Sequence, residues 1–239
     1  MASAQKSGIH ALNSNVRAGT VQPAAPRLGG IARRIVRNFR DYGLRVTCGK
    51  SAAYLLRGVY FHQIYRIYRI NLNRIAPAES SDSTQFIFRL LSPQDSGLIA
   101  QVEDIAEWLH GQMKSRIEAG QLCLVAMDGS KVAGFNLINL QEASMVLVNR
   151  RIPLRAGSAW SEHIAVLKEY RRSGLGADLR RSVFEVLRGR GIRRLYGGTL
   201  RSNIAALKLT RAVGFKEIGD LHYKKILSFE EWRFSRIRG

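Results

Sequence analysis

Residues 160–179, WSEHIAVLKEYRRSGLGADL, decide how this chain folds. The stretch opens with apolar and β-branched residues that favour a strand. It then passes through a loop that holds Gly174 and Gly176 and enters a segment in which apolar residues recur at helical spacing. The recurring residues are Leu179, Val183 and Leu187. The stretch therefore predicts a strand that turns through a glycine-bearing loop directly into a helix.

The loop between this strand and helix has the features of an anion-binding site. Glycine permits positive φ angles and lets the backbone approach a ligand closely. The first N–H groups of a helix lack partners within the helix, and the helix dipole adds positive potential there. A phosphate or pyrophosphate fits such a loop, although the same pattern also occurs in tight turns that bind nothing. The loop is neither a P-loop nor the three-glycine dinucleotide fingerprint, because no Lys-Ser/Thr pair and no third glycine follow.

Strand and helix patterns also alternate on both sides of this stretch, over residues 84–228. A strand and an amphipathic helix come first, and a hairpin with Asp128 and Gly129 in its turn follows. Residues 141–157 are less regular. After the central helix come a strand, a second helix and two strands around Gly219. We predict an α/β protein with a mixed central sheet flanked by helices.

Two motifs in this order resemble those of the GNAT superfamily, the general-control-related N-acetyltransferases. The first motif is Arg171-x-x-Gly174-x-Gly176. The second motif is Asn203-x-x-Ala206-x-x-Leu209, followed by Gly214-Phe215. The resemblance covers residues 84–228 and implies the acyl-CoA N-acyltransferase fold, with acetyl-CoA as the acyl donor and an amine as the acceptor.

The resemblance also implies where acetyl-CoA binds. Backbone groups of the central strand would hydrogen-bond the pantetheine arm, at Ile164, Ala165 and Val166. Backbone N–H groups of the loop would bind the pyrophosphate, at Arg172, Ser173, Gly174, Leu175, Gly176 and Ala177. Arg171 would add positive charge, Asn203 would line the pantetheine channel, and Ala206 would keep the helix small where the cofactor passes. No metal is expected, since the histidines show no metal-ligand spacing.

In this family the amine attacks the thioester directly, so no nucleophilic side chain is implied. Many members carry a tyrosine one residue after the leucine of the second motif, where it acts as a general acid. This chain has Thr210 at that position, and a threonine hydroxyl is a poorer proton donor than a phenol. Either Thr210, a different group or water therefore protonates the departing thiolate, or that step is undemanding.

The strand that leads to the cofactor offers two candidate bases, Glu162 and His163. Strand alternation predicts that they lie on opposite faces of the sheet, so at most one of them faces the acceptor. A histidine titrates near neutral pH, whereas a carboxylate would act through a water molecule. The alternatives without catalysis are a surface glutamate and a half-buried histidine.

The charge of the chain is strongly positive and unevenly distributed. It has 38 Lys and Arg against 18 Asp and Glu, which gives a net charge of +20. Such an excess predicts a polyanionic partner, which could be nucleic acid, an anionic membrane surface or a phosphorylated cofactor. Residues 1–78 hold thirteen basic residues and one acidic residue and so carry +12 of this charge. The asymmetry predicts a boundary near residues 76–83.

We therefore divide the chain into four parts. Residues 1–30 lack hydrophobic periodicity and are predicted to be a disordered tail. Residues 31–83 are predicted to be a basic helical or extended extension and linker, with residues 31–78 able to bind an anionic membrane surface or another polyanion. Residues 84–228 form the predicted N-acetyltransferase domain, and residues 229–239 are predicted to be a basic C-terminal tail.

One part of the extension, residues 54–72, interleaves five aromatic residues with three arginines in YLLRGVYFHQIYRIYRINL. This composition occurs on nucleic-acid-binding surfaces and in interfacial membrane anchors. Aromatic and β-branched residues at such short spacing more often form the core of a strand or helix, and we favour that interpretation.

The cysteines and the apolar segments bear on location. Cys48 and Cys123 are too few and too far apart for a disulfide framework or a cysteine zinc site, which fits a reducing cytoplasm. Arginines interrupt the most apolar segment, so no membrane span is predicted. The Arg-rich start also resembles an organelle transit peptide. We expect a cytoplasmic protein, with peripheral attachment to a membrane surface as the alternative.

The leading hypothesis is an acetyl-CoA-dependent N-acetyltransferase that acts on a primary amine of an amino sugar, a small metabolite or a protein. Residues 141–157 would shape the acceptor site, and the arginines would attract an anionic acceptor such as a nucleotide-linked amino sugar. One alternative is a catalytically weak regulatory protein that binds acetyl-CoA. Another is a protein that acts through its basic N-terminal third on nucleic acid or an anionic surface.

Overall fold

A computed structural model describes residues 60–75, 85–145 and 148–237 of the chain. The strands of this part are β1 (Tyr60–Asn71), β2 (Ile87–Leu90), β3 (Leu122–Asp128), β4 (Lys131–Asn139), β5 (Glu142–Met145), β6 (Arg150–Pro153), β7 (Ser158–Val166), β8 (Arg194–Leu200), β9 (Lys216–Ile226) and β10 (Phe229–Arg236). The helices are α1 (Ser96–Ile105), α2 (Met113–Glu118), α3 (Leu175–Gly189) and α4 (Ile204–Ala212). The predicted tail 1–30 and the predicted basic helix that follows it lie outside the described residues.

Eight of the strands form one sheet in the order β10-β9-β1-β8-β7-β4-β3-β2. The pair β7–β8 is parallel, and the other pairs of this sheet are antiparallel. Strands β5 and β6 pair with each other as a separate hairpin. The prediction of a mixed central sheet flanked by helices is confirmed.

The helices and the hairpin cover both faces of the sheet. On one face, α3 packs its apolar stripe against the strands, and Leu179, Val183 and Leu187 are completely buried there. On the other face, α1 and α2 cover β3 and β4, and the β5–β6 hairpin covers β1, β7 and β9. We name these the α3 face and the hairpin face.

Strand β1 lies in the interior of the sheet, between β8 and β9. The predicted extension 31–83 is therefore wrong for residues 60–71, which belong to the domain. Tyr65, Ile67, Tyr68 and Ile70 are all at least nine-tenths buried, because aromatic and β-branched side chains pack well on both faces of an interior strand. The interpretation of the aromatic and arginine-rich segment 54–72 as core is confirmed for the described residues 60–72, and residues 54–59 lie outside the described part.

The C-terminal end of the domain also departs from expectation. The predicted tail 229–239 is wrong for residues 229–236, since β10 pairs with β9 along that length. The two strands predicted around Gly219 are a single strand, β9. Gly219 is not in a turn: a Cβ there would collide with the ring of Phe234 and the carbonyl oxygen of Ser235. This glycine marks the close approach of a neighbouring strand.

Other local predictions agree with the structure. The hairpin of β3 and β4 turns at Gly129, whose φ is +57°. The irregular residues 141–157 form the β5–β6 hairpin, with residues 146–147 outside the described part. No helix in the described ranges is both long and apolar enough to cross a membrane.

Candidate functional site

A cleft opens where the parallel strands β7 and β8 separate. Their pairing begins at Ser158 with Arg194 and ends at Ser161 with Gly197. Beyond that pair β7 continues to Val166, still paired with β4 but no longer with β8. The backbone of this part of β7 is therefore available to a ligand. Residues 162–166 and 198–200 are all partly exposed, as expected for the walls of an open cleft.

The glycine-bearing loop follows at the open end of the cleft. Gly174 caps α3 with a φ of +89°, a conformation that an L side chain rarely adopts. Among the described residues, no acceptor takes the backbone N–H of Gly174 or of Gly176. Ser173 holds the loop in shape by donating its hydroxyl to the Tyr170 carbonyl at 2.8 Å. The free N–H groups and the positive end of α3 form a site for an anion.

The neighbours of this loop fix its position. The Arg171 Nε donates to the Val166 carbonyl at 3.1 Å, so its guanidinium lies at the end of β7. A Cβ at Gly176 would lie 3.3 Å from Leu209 in α4, which shows how closely the two helices approach. Asp178 in the first turn of α3 pairs with Arg181 at 2.8 Å, so its charge is balanced.

Helix α4 begins at Ile204, and Asn203 caps its N-terminus. The Asn203 side chain accepts a hydrogen bond from the Ala206 backbone N–H at 3.1 Å, and Asn203 is exposed at the mouth of the cleft. Both residues thus lie where the family motif expects them, at the start of the helix beside β8. The role of Asn203 in lining a pantetheine channel stays a prediction.

Glu162 and His163 lie on the same face of the sheet, so the prediction of opposite faces is wrong. The pairing of β4 with β7 shifts between Leu137 and Ile138, which face His163 and Ser161, and this leaves Glu162 as an extra residue in β7. Such a β-bulge interrupts the alternation of side chains. Glu162 contacts Arg116 of α2, and His163 contacts Trp108 of the turn before α2, both on the hairpin face.

The Glu162 carboxylate is held by an ion pair within the domain. Arg116 donates from Nη1 to Oε1 at 2.9 Å, and only 3% of the Glu162 side chain is exposed. The other oxygen, Oε2, is buried and has no hydrogen-bond partner within residues 60–75, 85–145 and 148–237. Nearby, burial raises the pKa of Tyr65, and the charges of Tyr68 and Glu162 raise it further. Glu162 therefore has one carboxylate oxygen free to accept a proton.

His163 packs between two aromatic rings. Its ring centroid lies 5.2 Å from that of Trp108 and 5.6 Å from that of Phe135. Burial lowers the pKa of His163, because the apolar surroundings disfavour the charged imidazolium. Trp108 is 44% exposed and also lies beneath the guanidinium of Arg116, the ion-pair partner of Glu162.

The structure gives no support to Thr210 as the proton donor, and that role stays a prediction. Its hydroxyl donates to the Ala206 carbonyl one turn earlier in α4, at 2.7 Å, and the residue is 1% exposed. A hydroxyl has a single proton, and this one is used within the helix.

Two glycines at the closed end of the cleft identify residues that motif analysis missed. Gly197 and Gly198 are adjacent in β8, and a Cβ at either would collide with a tyrosine ring from β1. Tyr68 covers Gly197 on the α3 face, and Tyr65 covers Gly198 on the hairpin face. A pair of glycines inside a strand is the sequence signal for such a close approach. The sequence motifs also gave no indication of Trp108, Arg116 and the buried Arg180.

A cavity of about 150 Å³ lies beside the cleft on the hairpin face. Its floor includes Trp160 and Tyr196, the pair of residues next to the closed end of the cleft. The β5–β6 hairpin forms its roof and is fixed by two indole groups. Trp160 Nε1 donates to the Ser144 carbonyl at 3.1 Å, and Trp232 Nε1 donates to the Val148 carbonyl at 2.7 Å.

Comparison with known proteins agrees with this geometry. The family model described as "Acetyltransferase (GNAT) family" matches residues 84–215, more than half of the chain. The chain belongs to the GNAT acetyltransferase family. The match begins after β1, so this GNAT domain includes an interior strand that the family model does not cover. No curated protein matches the chain.

Solved structures share this GNAT fold at low sequence identity. A GCN5-related glucosamine N-acetyltransferase region of a fungal multi-domain GH3 β-N-acetylglucosaminidase has 16% identity and a TM-score of 0.54, and the match covers 73% of this chain and 22% of that one. A GCN5-related N-acetyltransferase from Sphaerobacter thermophilus has 18% identity and a TM-score of 0.50, with coverage of 74% and 56%. A protein of unknown function from Staphylococcus epidermidis has 13% identity and a TM-score of 0.50, with coverage of 84% and 80%.

The residues present fit acetyl-CoA, the acyl donor typical of GNAT enzymes. The free N–H groups at Gly174 and Gly176 suit a pyrophosphate, and the unpaired edge of β7 suits the amides of a pantetheine arm. Among the described residues, no three His, Cys, Asp or Glu side chains come together in a group that could hold a metal ion. The GNAT family supports acetyl transfer as the general activity.

Proposed function

We propose that this protein is an N-acetyltransferase that transfers an acetyl group from acetyl-CoA to a primary amine. The observation that carries the proposal is the separation of β7 from β8 after Ser161 and Gly197, directly before a glycine-capped helix. This arrangement supports one long ligand with a polar arm along β7 and a phosphate group at α3. When bound, acetyl-CoA supplies an acyl group activated as a thioester.

The loop residues would hold the donor without side-chain chemistry. The N–H groups of Gly174 and Gly176 would bind phosphate oxygens, and Arg171 and Arg172 would contribute positive charge beside them. The backbone of Ile164 to Val166 would bind the pantetheine amides. A donor held along β7 would have its reactive end at the closed end of the cleft, next to Glu162.

Glu162 is the group we assign to take a proton from the acceptor amine. An amine attacks as a neutral nucleophile and must lose a proton once the new C–N bond forms. Oε1 is occupied by Arg116, and Oε2 has no partner among the described side chains and backbone. Because the side chain is buried, Glu162 would receive the proton through a water molecule. His163 is the second candidate, and its lowered pKa supports a neutral imidazole that can accept a proton.

The acceptor would occupy the cavity under the β5–β6 hairpin. On the hairpin face of β7, Trp160 is followed by Glu162, so the cavity floor adjoins the proposed reaction centre. An apolar cavity of about 150 Å³ is large enough for a benzene-sized group. The aromatic floor and the fixed roof support an acceptor with a flat or apolar body.

The positive charges that line the cavity indicate that the acceptor also carries an acidic group. Arg150, Arg155 and Arg194 line it, and no acidic residue does. Within the described residues, neither Arg155 nor Arg194 has a carboxylate within ion-pair distance. Unpaired arginines beside an apolar cavity favour a carboxylate or a phosphate.

The distance between Arg194 and Glu162 indicates that the amine and the acidic group of the acceptor lie far apart. Arg194 pairs with Ser158 at the start of β7, and Ser158 is four residues from Glu162. Four residues of strand span about 13 Å. The acceptor would thus carry its amine at one end, an apolar body over Trp160, and its acidic group at the other end. An α-amino acid, whose amine and carboxylate are adjacent, fits this arrangement poorly.

The experiment uses the full chain and begins with calorimetric binding of acetyl-CoA. Thiol release is then measured with three amines: 4-(aminomethyl)benzoate, 4-methylbenzylamine, which lacks the acid, and phenylalanine, which has the acid beside the amine. We expect binding of acetyl-CoA, and the highest kcat/KM with 4-(aminomethyl)benzoate. Absence of acetyl-CoA binding would overturn the acetyltransferase, whereas equal rates for the three amines would overturn only the acceptor class.

Arginine variants provide the matched control. Arg194→Gln and Arg155→Gln should raise KM for the acidic amine and leave KM for 4-methylbenzylamine unchanged. Arg151→Gln removes an arginine from the same hairpin that pairs with Glu142 and does not line the cavity. It should leave both KM values as they are.

A further inference from the structure

Arg180 in α3 is a buried cation. It is 2% exposed, and among the residues that the structure describes it has no carboxylate partner, and its Nε and Nη1 have no hydrogen-bond partner. Its guanidinium carbon lies 5.2 Å from the ring centroid of Phe215 and 5.8 Å from that of Tyr68. Cation–π contacts offset only part of the cost of burying a charge. Nothing in the packing alone requires an arginine there.

A hydrogen bond of this guanidinium leads to the closed end of the cleft. Arg180 Nη2 donates to the hydroxyl oxygen of Tyr68 at 3.5 Å. That oxygen lies 3.0 Å from the place a Cβ would occupy at Gly197. Since Gly197 and Ser161 are the last paired residues before the strands separate, the Tyr68 hydroxyl lies at the vertex of the cleft, on the α3 face.

A second unpartnered donor lies on the same face. Ser161 donates its hydroxyl to Asn136 Oδ1 at 3.0 Å, while Asn136 Nδ2 is buried and finds no partner in the described part of the chain. Asn136 is two residues from Ile138 in β4, and Ile138 packs beneath α3, so strand alternation directs both to that face. Buried donors without acceptors are costly, and they favour an electron-rich atom brought by a ligand.

We propose that Tyr68 is the proton donor to the leaving thiolate, and that Arg180 positions its hydroxyl and offsets the negative charge that develops. This inference rests on the proposed acetyltransferase function. It also explains how the chain works with Thr210 in α4, whose hydroxyl is used within its own helix. The donor comes instead from β1, which precedes the residues matched by the family model.

The proton movements balance. The amine nitrogen forms a bond to the carbonyl carbon, and the C–S bond breaks with its electron pair on sulfur. Tyr68 gives its hydroxyl proton to that sulfur, and the resulting phenolate lies beside the Arg180 guanidinium. The proton released by the amine leaves through Glu162 and water. Tyr68 regains a proton from solvent after the products depart.

Tyr68→Phe tests the proposal in the full chain. It removes one oxygen and keeps the ring over Gly197. We expect calorimetric binding of acetyl-CoA to persist while kcat for thiol release falls about a hundredfold, the size of a typical general-acid contribution. Tyr223→Phe is the control, because it removes a hydroxyl from another buried tyrosine, in β9, and should leave kcat unchanged. If the unaltered protein does not bind acetyl-CoA, the proposed acetyltransferase function is overturned, and not only the role of Tyr68.

A second measurement needs no turnover. CoA and S-methyl-CoA are titrated into the protein over a range of pH, because only CoA has a thiol that ionises. In the unaltered protein, CoA should bind more tightly as pH rises toward the ionisation of its thiol, while S-methyl-CoA should not. Tyr68→Phe and Arg180→Met should each weaken this difference. Arg180→Met replaces the buried charge with an unbranched apolar side chain of similar length, so the variant should still fold.

Two results would overturn the proposal. One is a Tyr68→Phe protein that keeps the kcat of the unaltered chain. The other is a preference for the CoA thiolate that survives both substitutions, since a purely structural role for Tyr68 and Arg180 predicts no change in that preference.

Discussion

Arg66 in β1 is bound on two sides by the carboxylate of Asp220 in β9. Its Nη2 donates to Oδ2 at 3.0 Å and its Nε to Oδ1, and its Nη1 also contacts Glu217. Arg66 and Asp220 are both more than nine-tenths buried. The charges raise the pKa of Arg66, with the hydrogen bond to Asp220 as the largest cause. One of the N-terminal arginines thus fastens an interior strand to its neighbour and is not available to an outside polyanion.

The first prediction follows from the place of β1 between β8 and β9. A chain of residues 79–239 lacks this strand and exposes two edges and the aromatic side chains that packed on it, so it should not unfold cooperatively. A chain of residues 57–239 keeps β1 and should unfold cooperatively. Circular dichroism melting of both chains measures this. A cooperative transition of the shorter chain at the same temperature would contradict the central role of β1.

The glycine loop and its helix were predictable because their signal is local. A strand, a loop with Gly174 and Gly176, and a helix with one apolar face follow one another within twenty residues. The caps and the free N–H groups depend on that short segment alone. The hairpin at Gly129 was predictable for the same reason.

The position of β1 and the faces of Glu162 and His163 depend on pairing between distant segments. Nothing near Tyr68 in the sequence indicates that its partner strand begins more than 120 residues later. A single extra residue in β7 reverses the alternation that the sequence suggests. In the sequence, Gly219 is consistent either with a turn or with the close approach of a neighbouring strand. Only the packing of Phe234 against it shows that the second is correct.

The second prediction concerns the anion site at α3. Gly174→Glu places an L side chain at a φ of +89° and a negative charge beside the free N–H groups, so acetyl-CoA binding should fall below detection by calorimetry. Gly191→Glu is the matched control, with a φ of +72° beyond the other end of the same helix, about 22 Å away. It should bind acetyl-CoA as the unaltered protein does. Equal binding by the two variants would argue against a phosphate site in the loop.

The third prediction concerns the reactivity of Cys123. Burial raises the pKa of this thiol to about 12, and the side chain is completely buried in β3. Thiol reagents react with the thiolate, so Cys123 should not react in the folded protein. A Cys48→Ser chain, with Cys123 as its single cysteine, should react with a chromogenic disulfide only after guanidinium unfolds it. Rapid reaction in native buffer would show that this strand opens readily.

The fourth prediction is a pH dependence of stability from His163. Its pKa is lowered by burial in the folded protein, whereas in the unfolded chain it is near 6.5. Above that pH the imidazole is neutral in both states and contributes no pH dependence. Below it the unfolded chain binds the proton first, so the free energy of unfolding falls as pH falls toward the lower folded value.

Urea unfolding at a series of pH values measures this effect. His163→Phe keeps a ring between Trp108 and Phe135 and has nothing to titrate, so its stability should fall less steeply below pH about 6.5. Parallel curves for the two proteins would mean that His163 is not buried in its neutral form.

The fifth prediction separates the structural role of the Glu162–Arg116 pair from its chemistry. Arg116→Met leaves the Glu162 carboxylate buried without its partner and should lower the free energy of unfolding by about 3–5 kcal/mol. Adding Glu162→Gln to that variant removes the unpaired charge and should restore much of the stability.

Glu162→Gln alone keeps an amide that Arg116 can still donate to, and it removes the oxygen that accepts the amine's proton. It should therefore fold and bind acetyl-CoA while its kcat falls at least tenfold. If Glu162→Gln stays active, the base is His163, which lies on the same face because of the β-bulge.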